Sequence, residues 1–429
     1  MDKIGNKIYK WVEDLFPICR SLTGNGVRET LKYFQNLLPE LQIHEVPSGT
    51  KVFDWTVPDE WNIYDAYIAD EQGNRIVDFK EHNLHVMGYS EPVDEIMTFK
   101  ELDQYLYSLP ELPNAIPYVT SYYERRWGFC ITENQRDKLR INPEAKYHIK
   151  IDSTLEPGNL TYGELIIPGS TDKEIFYSTY ICHPSMANNE LSGPTVTTAI
   201  AQYIASIKKR KYTYRIIFIP ETIGSITYLS MHAKDMINKT IAGFNVNCLG
   251  DEHTYSHLPS KQENSLADRV ARHVLSHHAD DYIQWSFLER GSDERQYCSP
   301  GIDLPVTSIM RSKYGTYPEY HTSLDDLSFV TANGLQGSYE AHIKCIEVLE
   351  ENEKFKSKVY CEPQLGKRGL YPTISRTNTY QTIEDMMNII IYSDGNNDLL
   401  SIAELSGVYV GKLIPIAKKL LEEDLLETT

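Results

Sequence analysis

Residues 214–225 read Tyr-Arg-Ile-Ile-Phe-Ile-Pro-Glu-Thr-Ile-Gly-Ser. The run from Tyr214 to Ile219 is the strongest strand signal in the chain: β-branched and aromatic, short, and stopped by Pro220. Glu221 follows at once, and helical periodicity begins at Ile223. Three other apolar or β-rich stretches end the same way. Ile175–Ile181 runs into Cys182-His183, Phe244–Leu249 into Gly250-Asp251, and Pro305–Met310 into Arg311. Each strand thus hands over a residue able to bind a metal or move a proton. In an open α/β sheet, ligands bind outside the carboxyl ends of the strands.

Working outward, residues 159–365 alternate strands (near 162–167, 174–181, 214–219, 243–249 and 304–310) with helices (near 192–209, 223–236, 262–279 and 332–352). Alternation of this kind predicts an α/β fold, a mixed and mostly parallel sheet with helices on both faces. Residues 1–67 supply helices near 5–20 and 25–38 and short strands, but no core of their own, so they are expected to join that domain. Residues 68–158 carry turn signals at 71–74 and 110–113 and an aromatic block, Tyr118–Phe129. They read as a β-rich insertion. Residues 366–429 read as a separate tail of three helices near 380–393, 398–405 and 410–421, the spacing of a winged-helix-like module.

Composition limits the possible partners. The net charge of −18 over 429 residues disfavours nucleic acid and anionic membranes. The tail is no exception: residues 371–429 hold four basic residues (Arg376, Lys412, Lys418 and Lys419) against nine acidic ones. Nucleic-acid binding is therefore not expected of it, and packing or homo-oligomer formation is. Seven scattered cysteines without CxxC spacing point to a reducing compartment. With no membrane-spanning run and no signal-like start, the expectation is a cytoplasmic protein without membrane contact.

The chemistry-bearing residues each have an ordinary structural reading. His183 could be a loop histidine bonded to backbone, and Glu221 an acid at a helix start. Asp251, after Gly250, could be a turn or cap aspartate. His321 lies in Tyr317-Pro318-Glu319-Tyr320-His321-Thr322-Ser323, too short and polar for core, with Asp325 and Asp326 downstream to orient a ring. Adjacent residues in a strand face opposite ways, so Cys182 and His183 are not expected to meet. Four such coincidences at one sheet edge point to a shared water-activating metal site.

The order His183 … Asn189-Glu190-Leu191-Ser192-Gly193 … Pro220-Glu221-Thr222-Ile223-Gly224-Ser225 … Gly250-Asp251 … Tyr320-His321-Thr322-Ser323 resembles the M28-type zinc aminopeptidases. It is closest to an aminopeptidase-like subgroup with an inserted domain and a C-terminal winged helix, often associated with surface polysaccharide biosynthesis. The resemblance implies His183, Asp251 and His321 as zinc ligands and Glu221 as general base. It places Asn189 at the family's bridging aspartate and Thr222 at a second carboxylate ligand. Two cations ~3.5–4 Å apart need anionic ligands, so one zinc is expected rather than two, with Asn189 a weak ligand. Asp293 and Arg295, in the mixed-charge stretch Glu289–Tyr297, together with Arg311 and Tyr317, are candidates for holding substrate. The implied activity is hydrolysis of a small peptide or amide. Two alternatives stand beside it: hydrolysis of an acylated amino sugar in polysaccharide metabolism, and a catalytically impaired binding or scaffold protein of the same fold.

Overall fold

The structure is a computed structural model and describes residues 3–370 and 377–429. Arg376, counted in the charge of the tail, lies outside the described residues. The chain divides into two compact units: Met1–Asp268 with Tyr282–Glu340, and Arg269–Asp281 with Ala341–Thr429.

The first unit is built on an eight-stranded mixed sheet. Four strands, Glu174–Tyr180, Thr213–Ile219, Thr240–Asn245 and Val306–Met310, run parallel. Their carboxyl ends therefore share one edge. Gln42–Pro47 and Asn159–Ile167 extend the sheet antiparallel on one side. Tyr255–Leu258 and Tyr282–Gln284, two short strands that the sequence pattern does not announce, extend it on the other. All seven residues of Glu174–Tyr180 are buried, as expected for a strand covered on both faces.

The helix Ser192–Ser206 lies against this sheet, and its start explains Gly193. A Cβ there would sit 2.5 Å from the Val246 carbonyl oxygen and 2.6 Å from Thr179 Oγ1. Backbone cannot retreat as a side-chain tip can. Gly193→Ala should therefore lower stability by about 1–3 kcal/mol, the usual cost of overpacking a dense core. Chemical denaturation followed by tryptophan fluorescence would show the shifted midpoint.

The segment expected to be an insertion holds a four-stranded antiparallel sheet in which Glu60–Ala69 pairs with residues 148–156 of the strand Lys146–Glu156. The expected boundary at residue 67/68 thus cuts through a strand. The alternation at 62–68 belongs to the inserted sheet, which begins near residue 60.

In the second unit the helices Thr377–Tyr392, Leu399–Ser406 and Val410–Glu422 accompany a three-stranded antiparallel sheet. Its central strand is Lys354–Ser357, flanked by Asp394–Asp398 and Leu426–Thr428. That strand lies ahead of the boundary expected at 365/366, because a four-residue run with three charged or polar side chains carries no alternation signal. Among the described residues no helix is long and apolar enough to cross a membrane.

Candidate active site

The parallel strands Glu174–Tyr180 and Thr213–Ile219 deliver His183 and Glu221 to one sheet edge, His321 joins them from the loop after Val306–Met310, and the chain takes uncommon backbone conformations nearby. Positive φ occurs at the non-glycine residues Ser185 (44°), Thr222 (62°), Cys248 (53°) and His321 (56°). Such conformations cost about 1–3 kcal/mol each and collect at functional sites. Here they flank His183 and Glu221, follow the strand Thr240–Asn245, and include His321 itself.

His183 and His321 come together from points 138 positions apart in the sequence, with ring centroids 5.3 Å apart and planes tilted by 39°. His183 is held from behind. Its Nδ1 lies 2.8 Å from Glu190 Oε2, and its backbone carbonyl accepts a bond from Arg20 Nε at 3.1 Å. A carboxylate at Nδ1 leaves the lone pair of Nε2 facing the cleft, where Glu221 Oε2 stands 3.7 Å away. Burial lowers the pKa of His183 to about 3, helped by the Arg20 charge, and that of His321 to about 3, helped by His183. Both rings are neutral near pH 7, the form that binds metals.

Glu221 differs from Glu190 in exposure. The Glu221 side chain is 21 % exposed and Glu190 is sealed at 0 %. Only Glu221 can meet a substrate. Burial raises the Glu221 pKa, and the Asp293 charge raises it further. Asp293 Oδ1 accepts from the Thr222 N–H and the Ser225 hydroxyl, each at 2.8 Å. Arg295 NH2 donates to Thr222 Oγ1 at 3.1 Å. Asp293 and Arg295 thus brace the turn that carries Glu221, and Asp293 Oδ2 is buried without a partner.

Tyrosines line the remaining walls. Tyr118 and Tyr180 lie 5.2 and 5.3 Å from the His183 ring, and Tyr320 stacks on His321 at 3.9 Å. The segment carrying Tyr118 is tied to the His321 loop. The Tyr118 N–H donates to the His321 carbonyl at 2.8 Å, and the Ser323 N–H donates to the Ile116 carbonyl at 2.9 Å.

Several expected residues lie in other networks. Asp251 does not join the two histidines. Its Oδ2 accepts from Asn188 Nδ2 (2.9 Å) and the Ser312 N–H (3.1 Å), and its Oδ1 accepts from the Ser312 hydroxyl (3.0 Å) and the His253 N–H (2.9 Å). A carboxylate so fully used is a turn aspartate, the ordinary reading of Gly250-Asp251. Among the described residues, the group of His, Cys, Asp and Glu whose ligand atoms all lie within 4.8 Å of one another is Cys182, His183 and Glu190. His183, Asp251 and His321 therefore do not form one coordination sphere.

Arg311 lies 3.8 Å over the Tyr255 ring and donates to the His253 carbonyl. Tyr317 stacks on Phe329, meets Tyr320 edge-on, and places its hydroxyl 3.8 Å from the Cys248 thiol. Asp325 orients no ring. Its carboxylate accepts the N–H groups of Asn188 and Asn189. Cys182 Sγ does approach His183 Nδ1, at 3.5 Å, because the strand has ended at Tyr180 and alternation no longer applies. Burial keeps that thiol protonated, and it accepts a bond from the Glu221 N–H.

Two neutral imidazoles, His183 and His321, are donors suited to a divalent, borderline-soft cation, with the Glu221 carboxylate alongside, although the ligand atoms of these three do not all lie within 4.8 Å of one another. Asn189 Oδ1 is buried without a partner, while Asn189 Nδ2 is bonded to the Tyr180 hydroxyl beside His183. At the two positions where the resemblance implies further carboxylate ligands, Asn189 is an amide and the Thr222 hydroxyl accepts a bond from Arg295. Glu190 and Arg20 escaped the sequence reading. Glu190 stood in the quoted motif without a role, and Arg20, just past the first helix, had only the signal of being a cation in an otherwise uncharged segment, residues 15–27.

Similarity to known proteins bears on the fold and the family. A Clostridium acetobutylicum protein whose name couples polysaccharide biosynthesis to an aminopeptidase-like domain is 46 % identical over 425 residues, 99 % of this chain and 96 % of its own. A crystal structure from the same organism, named as a peptidase, has a TM-score of 0.93 at 44 % identity, covering 99 % of this chain and 97 % of that one. A zinc aminopeptidase from Bacillus subtilis shares the fold alone, with a TM-score of 0.58 at 12 % identity over 80 % of this chain and 94 % of its own. Residues 353–428 match a winged helix-turn-helix family. With residues 9–352 matching the family described as "Domain of unknown function (DUF4910)", the chain belongs to that family, on an aminopeptidase-like fold.

Proposed function

We propose that this protein is a single-zinc amide hydrolase acting on a small peptide or aminoacyl amide. His183 and His321 would hold the ion, and Glu221 would serve as the proton-moving group. One observation carries the reading. His183 presents Nε2 towards Glu221 at 3.7 Å and stands beside His321, while Glu190 occupies its other nitrogen. Zinc bound there would polarise an amide carbonyl and acidify water.

The chain's own groups do the rest. Glu221 accepts a proton from the attacking water on a carboxylate oxygen and returns it to the leaving nitrogen. Asp293 and Arg295 keep its turn in place, and the tyrosines exclude bulk water from the apolar side of the cleft. Asp251 has no part in this scheme.

An acylated amino sugar is the second substrate class, favoured by the relative whose name includes polysaccharide biosynthesis and by a tyrosine-lined wall suited to a sugar ring. The two are separated by assaying zinc-loaded protein against aminoacyl amides and N-acyl hexosamines. Metal analysis should return one equivalent of zinc, and none in His183→Ala/His321→Ala. Two tightly held equivalents, or none in the unaltered protein, would refute the single-zinc reading. The latter result would leave a binding or scaffold role, for which the engaged Asp251 carboxylate speaks.

A further inference from the structure

Arg20 and Glu190 are both sealed from solvent, and each uses a different part of itself to grip His183. Glu190 Oε2 takes Nδ1 at 2.8 Å, and its Oε1 faces Arg20 Nε at 3.5 Å. Arg20 Nε also bonds the His183 carbonyl at 3.1 Å, and Arg20 NH1 bonds the Leu15 carbonyl at 2.8 Å. The guanidinium is therefore anchored to the end of the first helix. A buried ion pair is a poor source of stability, since apolar residues of the same shape do as well or better. Its best-attested use is to specify one arrangement among several.

The geometry points to Arg20 and Glu190 as positioning residues that lock His183 in the tautomer with hydrogen on Nδ1, so that Nε2 keeps its lone pair free towards the cleft. The inference rests on His183 being a metal-binding residue. Its structural core, the locked tautomer, can be read without metal.

The logic is one of donors and acceptors. Arginine only donates. The guanidinium charge 3.5 Å away favours an oxygen at the Glu190 Oε1 position, which makes no hydrogen bond of its own, and the other carboxylate oxygen is then left to accept from His183. Glu190→Gln changes this sharply. With Arg20 present, the amide turns its oxygen to the guanidinium and its NH2 to His183 Nδ1. Nδ1 must now accept, which moves the hydrogen to Nε2 and blocks the donor atom. Removing the arginine as well frees the amide to turn back.

The test uses full-length protein labelled with 15N-histidine. Ring nitrogen shifts are recorded without metal, and zinc affinity is then measured by competition with a chelator. Wild type should show His183 with hydrogen on Nδ1. Glu190→Gln should show it on Nε2, with zinc bound about 10–100-fold more weakly, the usual loss when a partner behind a metal-binding histidine is removed. Arg20→Met/Glu190→Gln should give mixed tautomers and recover part of the affinity. That recovery by a second substitution is something a merely structural pair would not produce.

A wild-type tautomer in Glu190→Gln overturns the inference. If that variant does not fold, the double variant decides: mixed tautomers support the lock, and a pure Nδ1–H ring overturns it. If wild type binds no zinc, the metal reading of the site fails, while the tautomer comparison still decides the lock.

Discussion

Glu221→Gln is expected to lower kcat on an amide substrate by about 10²–10⁴-fold, the range assigned to a positioned general base, with zinc content unchanged. Glutamine matches glutamate in shape, so the turn held by Asp293 and Arg295 should persist. What disappears is an oxygen able to take a proton. The expected cost, about 3–5 kcal/mol of barrier, exceeds that of removing any wall residue, because the other carboxylates at the site, Glu190 behind His183 and Asp293 beneath Thr222 and Ser225, are sealed from solvent.

The pH profile supplies a second readout. Burial, then the neighbouring Asp293 charge, raises the Glu221 carboxyl above the ordinary carboxylate range. A base must be deprotonated to act, so kcat/KM should climb with pH along a limb above that range. The limb should vanish in Glu221→Gln. Single-turnover rates with the zinc-loaded protein check both points. Unchanged turnover would remove Glu221 from the reaction and leave the cleft a binding site.

The sequence was legible where local chemistry dictates the outcome. Parallel strands such as Tyr214–Ile219 and Ile175–Ile181 are mostly apolar or β-branched because both faces are covered, and residues just past their ends must lie at one sheet edge. This is why His183 and Glu221 could be placed together before any coordinates, whereas His321, well past the strand ending at Met310, was placed by its loop and by the resemblance. Asp251 went astray for a reason no periodicity reveals. Its direction depends on Ser312 and Asn188, which reach it from 61 and 63 positions away. Glu190 was hidden because the residues ahead of Ser192 wind as a π-helical turn, Ala187–Leu191, rather than a loop. That extra winding brings position 190 back beneath position 183. The strands at 255–258 and 282–284 are too short and polar to stand out from loops.

The same π-helical turn sets the largest stability effect expected outside the hydrophobic core. Asp325 Oδ1 and Oδ2 accept the N–H groups of Asn188 and Asn189 at 2.6 and 2.8 Å, and the Asp325 backbone carbonyl accepts that of Ala187 at 2.9 Å. Residues 187–191 are entirely buried, so water cannot replace a lost acceptor. Asp325→Ala strands two donors at about 1–3 kcal/mol each, the cost of an unsatisfied buried group. The loss should therefore be about 4 kcal/mol, measured by chemical denaturation at fixed zinc. Asp325→Asn keeps one acceptor but points an NH2 at the other N–H, so it should recover little. Asp326→Ala is the contrast. Its carboxylate bonds only the exposed Ser328, and its removal should cost well under about 1 kcal/mol.

The consequence reaches the cleft through Glu190, the next residue along the turn. If the Asp325 carboxylate sets the path of residues 187–191, its loss displaces the acceptor behind His183, and zinc affinity should fall together with stability. A folded Asp325→Ala protein with wild-type zinc affinity would show that Glu190 holds its place without the turn, and would return Asp325 to the role of a simple helix cap.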